Sequence, residues 1–221
     1  MIEMKGIYCT LYNKTYLDKG LALYNSLEKV CGSFKLYVLA MDDECYDILK
    51  SISAPHMIPI RLSDFENEEL LSVKSGRSFG EYCWTCSSSL IKYVILEYRE
   101  EICTYIDADL YFYSDPIVLI DEMEKRGAKV LIVGHRYNKA YRQIEAISGK
   151  YCVQFNTFLN DKDSLRLLDI WIAQCIESVE KLNDGIHYGD QKYLDNWTND
   201  YPFVVETENL GAGVAPGNID Q

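Results

Sequence analysis

The apolar positions of this 221-residue chain follow two alternating spacings along its first sixty residues. Short apolar runs at 7–11, 34–40 and 57–60 predict strands, whereas residues 17–30 and 43–51 carry apolar side chains at helical spacing. The resulting order of strand, helix, strand, helix and strand predicts a mainly parallel sheet that is covered by helices. In such sheets ligands bind at the carboxyl ends of the strands, so that edge is the expected place for a site.

The rest of the chain continues the alternation and then changes to loop. We expect helices at 83–98, 116–126 and 164–181 and strands at 102–107, 129–134 and 151–159. The glycine-rich residues 211–218 lack the lysine and hydroxyl ending of a phosphate-binding P-loop, and we expect them to build part of a site. A length of 221 residues suits a single core, so we predict one α/β domain over 1–221.

The strand predicted at 102–107 leads into two acids one residue apart, Asp107 and Asp109, with Ala108 between them. Side chains alternate along an extended chain, so both carboxylates would point the same way and could bind one hard divalent cation. Apolar residues precede and follow the acids, and carboxylates in such surroundings are costly without a cation or dedicated donors. We therefore expect a metal site that bridges to a nucleotide diphosphate, with an ordinary structural turn as the alternative.

Composition excludes several classes of function. The chain has 22 basic and 34 acidic residues, and a formal charge of -12 argues against binding nucleic acid along a basic face. Most of the eight cysteines lie in apolar runs and are expected in the core, and the pair Cys83 and Cys86 lacks the further ligands of a zinc site. No apolar stretch reaches the length of a membrane span, so we expect no transmembrane segment and a cytoplasmic protein.

Six blocks of sequence occur in a characteristic order. They are residues 7–11 (IYCTL), 77–90 (RSFGEYCWTCSSSL), 105–110 (YIDADL), 134–136 (GHR), 151–158 (YCVQFNTF) and 189–194 (GDQKYL). In this order they resemble nucleotide-sugar glycosyltransferases of the glycosyltransferase-A fold, near family 8. The resemblance implies a Rossmann-like domain with a mainly parallel central sheet and a small antiparallel extension after the D-x-D strand. It also implies a nucleotide-binding half at about 1–115 and an acceptor-side half at about 116–221.

The resemblance implies roles for the residues around the donor nucleotide. Asp107, Ala108 and Asp109 would bind the donor, with the two acids holding Mn²⁺ or Mg²⁺ on its diphosphate. The end of the first strand would pack against the nucleobase through Thr10, Leu11 and Tyr12, although packing at a strand end is an equally good explanation for these residues. Arg77 would face the donor phosphates or sugar, because a guanidinium matches such oxygens, with an exposed loop charge as the alternative.

Further roles concern the transferred sugar. Asp190 would bond donor or acceptor hydroxyls and Gln191 would stabilise the anomeric centre, while an alternative makes Asp190 the N-cap of a helix over 191–197. Gln154 and Asn156 alternate with apolar residues on one strand and are expected to contact sugar hydroxyls from one face. His135 follows a strand and is expected to contact metal or sugar. Members of the family commonly take a third metal ligand, often a histidine, from near the carboxyl terminus, and the residues up to Gln221 offer no such histidine.

Together these features predict a metal-dependent glycosyltransferase. It would move a sugar from a nucleotide-diphosphate sugar, with a UDP-sugar favoured, to a hydroxyl of a glycan or lipid-linked glycan, and the resemblance implies retention of anomeric configuration. One alternative is a sugar nucleotidyltransferase, which typically has a glycine-rich loop after the first strand, whereas residues 12–16 contain no glycine. Another alternative is a non-catalytic module that binds a nucleotide sugar.

Overall fold

One twisted sheet forms the centre of the molecule. The computed structural model describes residues 5–182 and 184–218. The strands in these ranges are β1 (Ile7–Tyr12), β2 (Lys35–Ala40), β3 (Met57–Arg61), β4 (Ile102–Ile106), β5 (Val130–Gly134), β6 (Tyr151–Leu159) and β7 (Val204–Glu206). They lie in the order β3-β2-β1-β4-β6-β5-β7.

The strand directions confirm the predicted α/β architecture. Strands β1 to β4 are mutually parallel, β6 is antiparallel to both β4 and β5, and β7 is parallel to β5. The mainly parallel sheet therefore carries its antiparallel pairings after the strand that leads into the two acids. Since β1, β4 and β5 run in one direction, their carboxyl ends meet at the same edge as the beginning of β6.

Helices cover the sheet. They are α1 (Leu17–Val30), α2 (Asp43–Ile52), α3 (Leu62–Phe65), α4 (Glu68–Lys74), α5 (Phe79–Glu97), α6 (Ile117–Lys125), α7 (Arg142–Ser148), α8 (Lys162–Glu177) and α9 (Trp197–Asp200), with 3-10 turns at Lys14–Tyr16 and Lys192–Leu194. Helix α5 begins four residues before its predicted start because a capping box precedes it. The Ser78 hydroxyl accepts from the Glu81 amide, and the Glu81 carboxylate accepts from the Ser78 amide at 2.7 Å.

Near the expected site, two details differ from what the sequence indicates. Strand β4 ends at Ile106, and Asp107 instead opens a turn in which the Leu110 amide donates to the Asp107 carbonyl at 3.2 Å. The extended alternation that would have aligned the two acids therefore does not apply. The alternative of one continuous helix over 191–197 does not hold either, because a 3-10 turn precedes the short α9 and Asp190 is not a helix cap.

The core is built from the strands and from aromatic residues of the last helices. Trp171 of α8 stacks on Phe158 of β6 with 6.0 Å between ring centroids, and Trp197 of α9 meets Trp171 edge-on at 5.5 Å. All eight cysteines are free and six of them are buried, which confirms that they pack as small core residues. None of the helices in the described ranges combines the length and the apolar character that crossing a membrane would require.

Candidate active site

Asp107 and Asp109 lie at the carboxyl edge of the sheet, directly after β4. The Asp107 backbone amide donates to the Gln154 carbonyl of β6 at 3.1 Å, which holds the turn against the neighbouring strand. The side chain of Asp107 is half-buried and that of Asp109 is exposed. The turn thus gives the two acids different surroundings although they are only two residues apart.

Asp107 lies in a strongly negative environment. The pKa of Asp107 is raised to about 7, mainly by burial and also by the negative charges of Asp190 and Asp109, while a hydrogen bond from the Tyr105 hydroxyl acts in the opposite direction. Tyr105 is itself buried and belongs to β4, so it supports Asp107 from within the sheet. The fold therefore brings Asp190, which is more than eighty residues away in sequence, close enough to interact with the D-x-D acids.

Asp190 is held rigidly beneath the surface. Its side chain accepts a hydrogen bond from the Ser87 hydroxyl at 2.7 Å, and its backbone carbonyl accepts from the Trp171 indole at 2.9 Å. Burial raises the pKa of Asp190 to about 6, while the Ser87 bond and the charge of Lys181 act in the opposite direction. Two carboxyl groups with raised pKa values at one sheet edge are typical of a functional site rather than of a stability element.

The side chains of the two acids are suitable ligands for a hard divalent cation. Carboxylate oxygens are ligands that Mg²⁺ and Mn²⁺ prefer, and a cation would offset both causes of the raised pKa of Asp107, its burial and the repulsion from Asp190 and Asp109. Asp107 and Asp109 are the residues that would hold such an ion. Within the described ranges no three acidic, histidine or cysteine side chains are grouped to hold a metal.

A second polar cluster surrounds Gln191. Its side-chain nitrogen lies 2.5 Å from the Ser148 carbonyl and 3.1 Å from His135 Nε2. His135 follows β5, stacks on Tyr137 with 4.7 Å between ring centroids, and its carbonyl accepts from the Asn218 amide at 2.7 Å. The predicted sugar-binding residues His135 and Gln191 are therefore in direct contact with each other.

A cavity of about 480 Å³ opens beside Asp109. Its walls are residues 109–116, Val118 and Leu119, then Gln154 and Phe155, and residues 209 and 211–214. Gly213 has a φ of 70°, and a Cβ there would lie 2.6 Å from Val133 and 2.9 Å from the Gly134 carbonyl. Only glycine lets this segment lie so close to the end of β5. The glycine-rich segment thus lines a cavity next to the acids, and its part in a site stays a prediction.

The chain is similar to known proteins in sequence and in fold. No family model matches the chain. The uncharacterized protein YfnD of Bacillus subtilis (strain 168) is 30% identical over 216 residues, which cover 96% of this chain and 69% of YfnD. The chain belongs to the YfnD family.

Solved structures place this member of the YfnD family in the glycosyltransferase-A fold. Mouse xyloside xylosyltransferase 1 superimposes with a TM-score of 0.60 and 12% identity, over 91% of this chain and 84% of that one. The galactosyltransferase LgtC, solved with donor and acceptor sugar analogs, gives 0.56 and 12%, over 90% and 72%. CMP:2-keto-3-deoxy-manno-octonic acid synthetase with CTP gives 0.53 and 12%, over 96% and 93%. The fold is confirmed, and it occurs in both glycosyltransferases and a nucleotidyltransferase.

In this YfnD-family chain, the residues expected to meet a nucleobase are largely buried. Thr10, Leu11 and Tyr12 have 0%, 7% and 2% of their surface exposed. Tyr16, which sequence reasoning missed, lies on the surface with its hydroxyl 3.4 Å from an Asp109 oxygen. Lys19 Nζ lies 3.9 Å from the centre of the Tyr16 ring. The sequence does contain a signal for Tyr16, because it is an aromatic residue in the loop after β1, at the same sheet edge as the acids.

Arg77 takes a different position from the one expected. Its guanidinium donates to the Cys175 carbonyl at 2.7 Å, and also to the Ile176 carbonyl and the Thr85 hydroxyl. The side chain therefore binds the last carbonyls of α8, a favourable place for a cation at a helix end. No contact between Arg77 and the acids is found within the described residues. These hydrogen bonds give Arg77 a structural role, and its contact with a donor stays a prediction.

Gln154 and Asn156 differ in accessibility although they share one face of β6. Gln154 is half-buried and lines the cavity beside Asp109. Asn156 is fully buried opposite Tyr105, and neither polar atom of its side chain has a hydrogen-bond partner in the described structure. An unsatisfied buried amide next to the residue that supports Asp107 is unusual in a stable core. Contact of either side chain with a sugar stays a prediction.

Proposed function

We propose that this chain is a metal-dependent glycosyltransferase. It transfers a sugar from a nucleotide-diphosphate sugar, with UDP-sugar favoured, to a hydroxyl of a glycan or lipid-linked glycan, with retention of anomeric configuration. The observation that carries the proposal is the placement of Asp107, Asp109 and Asp190 at the carboxyl edge of a glycosyltransferase-A sheet, where burial and the acidic neighbours raise the pKa of Asp107. The likeness to glycosyltransferase structures supports the reaction type, and the family 8 resemblance supports retention.

The proposed roles follow from the positions of the side chains. A Mn²⁺ or Mg²⁺ ion, when bound, would offset charge that develops on the diphosphate leaving group. Asp107 and Asp109 hold that ion, and the Tyr105 hydroxyl orients Asp107. Asp190, fixed by Ser87 and Trp171, accepts hydrogen bonds from sugar hydroxyls. Gln191 faces the anomeric centre.

Under the same proposal, the two halves of the domain bind different ligands. Residues 1–115 bind the nucleotide, since they contain β1, Tyr16 and the two acids. Residues 116–221 serve the acceptor side and supply His135, Gln154, Asp190 and Gln191. The exposed ring of Tyr16 beside Asp109 offers a stacking surface for the base, since the β1 side chains are buried.

A nucleotide panel tests the proposal. Thermal melting is measured with UDP, GDP, CDP and CTP and with the corresponding sugars, each with and without Mn²⁺, because a ligand that binds the folded state stabilises it by RT ln(1 + [L]/Kd). We expect one nucleoside diphosphate to raise the melting temperature more than the others, and only in the presence of Mn²⁺. Absence of any metal-dependent shift, with every nucleotide, would reject the transferase.

Hydrolysis of the stabilising donor separates an enzyme from a binding module. The wild type should release the nucleoside diphosphate slowly in the presence of Mn²⁺, and Asp109→Ala should abolish the release. Asp169→Ala is the matched control, because Asp169 is an exposed acid of α8 that pairs with Lys92. Release of pyrophosphate from CTP and a sugar would instead identify a nucleotidyltransferase, and binding without turnover would identify a non-catalytic module.

A further inference from the structure

Two neighbours fix the orientation of the Gln191 carboxamide and thereby distinguish its nitrogen from its oxygen. Its side-chain nitrogen lies 2.5 Å from the Ser148 backbone carbonyl. A carbonyl oxygen can only accept, so the atom facing it must be the amide nitrogen. The second hydrogen of the same amide then points to His135 Nε2 at 3.1 Å. Both hydrogens of the amide are therefore used within the protein.

This arrangement also defines the protonation state of His135. A nitrogen that accepts a hydrogen bond carries no proton, so Nε2 is bare and the ring proton sits on Nδ1. Burial lowers the pKa of His135, while Gln191 and the charge of Asp195 act in the opposite direction, so that the net shift favours the neutral ring. The neutral ring can accept a hydrogen bond from the Gln191 amide at Nε2. In a protonated ring Nε2 would carry a hydrogen that faces the N–H of the amide, and no hydrogen bond could form.

His135 is itself held on several sides. Tyr137 stacks on the ring at an interplanar angle of 22°, and the Tyr137 hydroxyl lies 2.8 Å from the Ser148 hydroxyl. The His135 backbone amide donates to the Lys150 carbonyl at 2.9 Å, and Asn218 donates to the His135 carbonyl. These contacts close a ring of interactions that passes from His135 through Tyr137 and Ser148 to Gln191 and back. The ring leaves the oxygen of the Gln191 carboxamide as the atom with no hydrogen-bond partner from the described residues.

We propose that His135 is a positioning residue of the transferase, which as the Nδ1-protonated neutral ring orients the Gln191 carboxamide so that its oxygen faces the transferred sugar. The proposal rests on the proposed function, because it assigns a role within that reaction. It replaces direct contact of His135 with metal or sugar, since Nε2 is engaged by Gln191. Neighbours of this kind, which orient a contacting group, typically change rates by tenfold to a hundredfold when removed.

Two variants separate positioning from mere packing. His135→Leu keeps bulk and removes the acceptor, whereas His135→Gln can return an oxygen close to the position of Nε2. For metal-dependent donor hydrolysis we expect His135→Leu to lower kcat about tenfold or more, with KM for the donor changed by less than about threefold. His135→Gln should recover most of the kcat. His56→Leu is the control, because His56 pairs with Glu28 far along the chain from the site residues.

A double-mutant comparison identifies the route of the effect. If His135 acts through Gln191, His135→Leu should have little further effect on kcat in a Gln191→Ala background. Multiplicative losses would overturn the proposal, as would a kcat for His135→Leu equal to that of the wild type. An equal rise of KM for His135→Leu and His135→Gln with unchanged kcat would show a ligand contact instead. An inactive wild type would reject the proposed function itself, and is therefore distinguishable from failure of the inference.

Discussion

The hydroxyl of Ser87 donates a hydrogen bond of 2.7 Å to the carboxylate of Asp190, and this contact joins α5 to the loop that follows α8. Both residues are buried, with 1% and 5% of their surface exposed. A buried carboxylate depends on such donors, because without them its charged form is strongly disfavoured. Ser87 therefore controls both the position of Asp190 and its ionisation.

Ser87→Ala tests that control. Loss of the donor should raise the pKa of Asp190 above its present value of about 6, so a smaller fraction of Asp190 is ionised at neutral pH. We expect donor hydrolysis to fall about tenfold at pH 6.5 and to recover partly at pH 8, which a pH–rate profile would show. Ser89→Ala, a change at a half-exposed position of the same helix, should leave the profile unaltered. A parallel profile for Ser87→Ala and wild type would contradict the role of Ser87.

Asp107→Asn should make the metal-free protein more stable at high pH. The folded-state pKa of Asp107 is about 7, above its ordinary value of 3.8, so its contribution is fully present below pH 3.8 and is lost as pH rises through 7. An asparagine does not titrate, so the variant does not lose stability through this group as the pH rises. We expect the variant to melt several degrees above the wild type at pH 8 and near the wild type at pH 4, measured by thermal denaturation in a chelator.

Added Mn²⁺ should reverse the order of the melting temperatures of the wild type and Asp107→Asn at pH 8. Mn²⁺ at pH 8 offsets the repulsion among the acids of the wild type, so the wild type should gain melting temperature while Asp107→Asn gains little. The exposed acid Asp169 provides a comparison, since Asp169→Asn should keep both the pH dependence and the metal response of the wild type. A metal response retained by Asp107→Asn would remove Asp107 from the ligand set.

Arg77→Ala should reduce stability and leave nucleotide binding intact. The guanidinium binds the final carbonyls of α8, and its removal leaves them without a partner, at a cost of about 2 kcal/mol in the free energy of unfolding. Arg166→Ala removes an exposed arginine of the same helix and should cost little. Chemical denaturation and titration with UDP and Mn²⁺ measure the two effects. A large loss of affinity at unchanged stability would restore the expected donor contact.

Gly20→Ala should disturb the packing of α1 on β1. A Cβ at position 20 would lie 2.3 Å from the ring of Tyr12, which is buried and cannot move aside freely. We expect a loss of about 1–3 kcal/mol in the free energy of unfolding. Gly32→Ala is the matched control, because a Cβ there meets no heavy atom within 4 Å. Equal denaturation midpoints for the two variants would contradict this view of the β1–α1 contact.

The pattern of apolar residues predicted most elements because their periodicity is a local property. Helix α1 and strand β6 have the bounds that the sequence predicts. The start of α5 was missed because its capping box lies outside the apolar stripe, and the end of α8 was placed too late because Arg77 binds its last carbonyls. Each error occurs where a polar contact, rather than hydrophobic spacing, decides the boundary.

The sequence by itself determined the α/β class, the parallel half of the sheet and the position of two acids at a strand end, since apolar period and residue order carry that information. Only the tertiary structure decided that Asp107 turns inward while Asp109 stays exposed, that Asp190 joins them, and that His135 grips Gln191. These relationships join residues tens of positions apart. Their geometry depends on how strands from both halves of the chain meet at one edge, which no local spacing specifies.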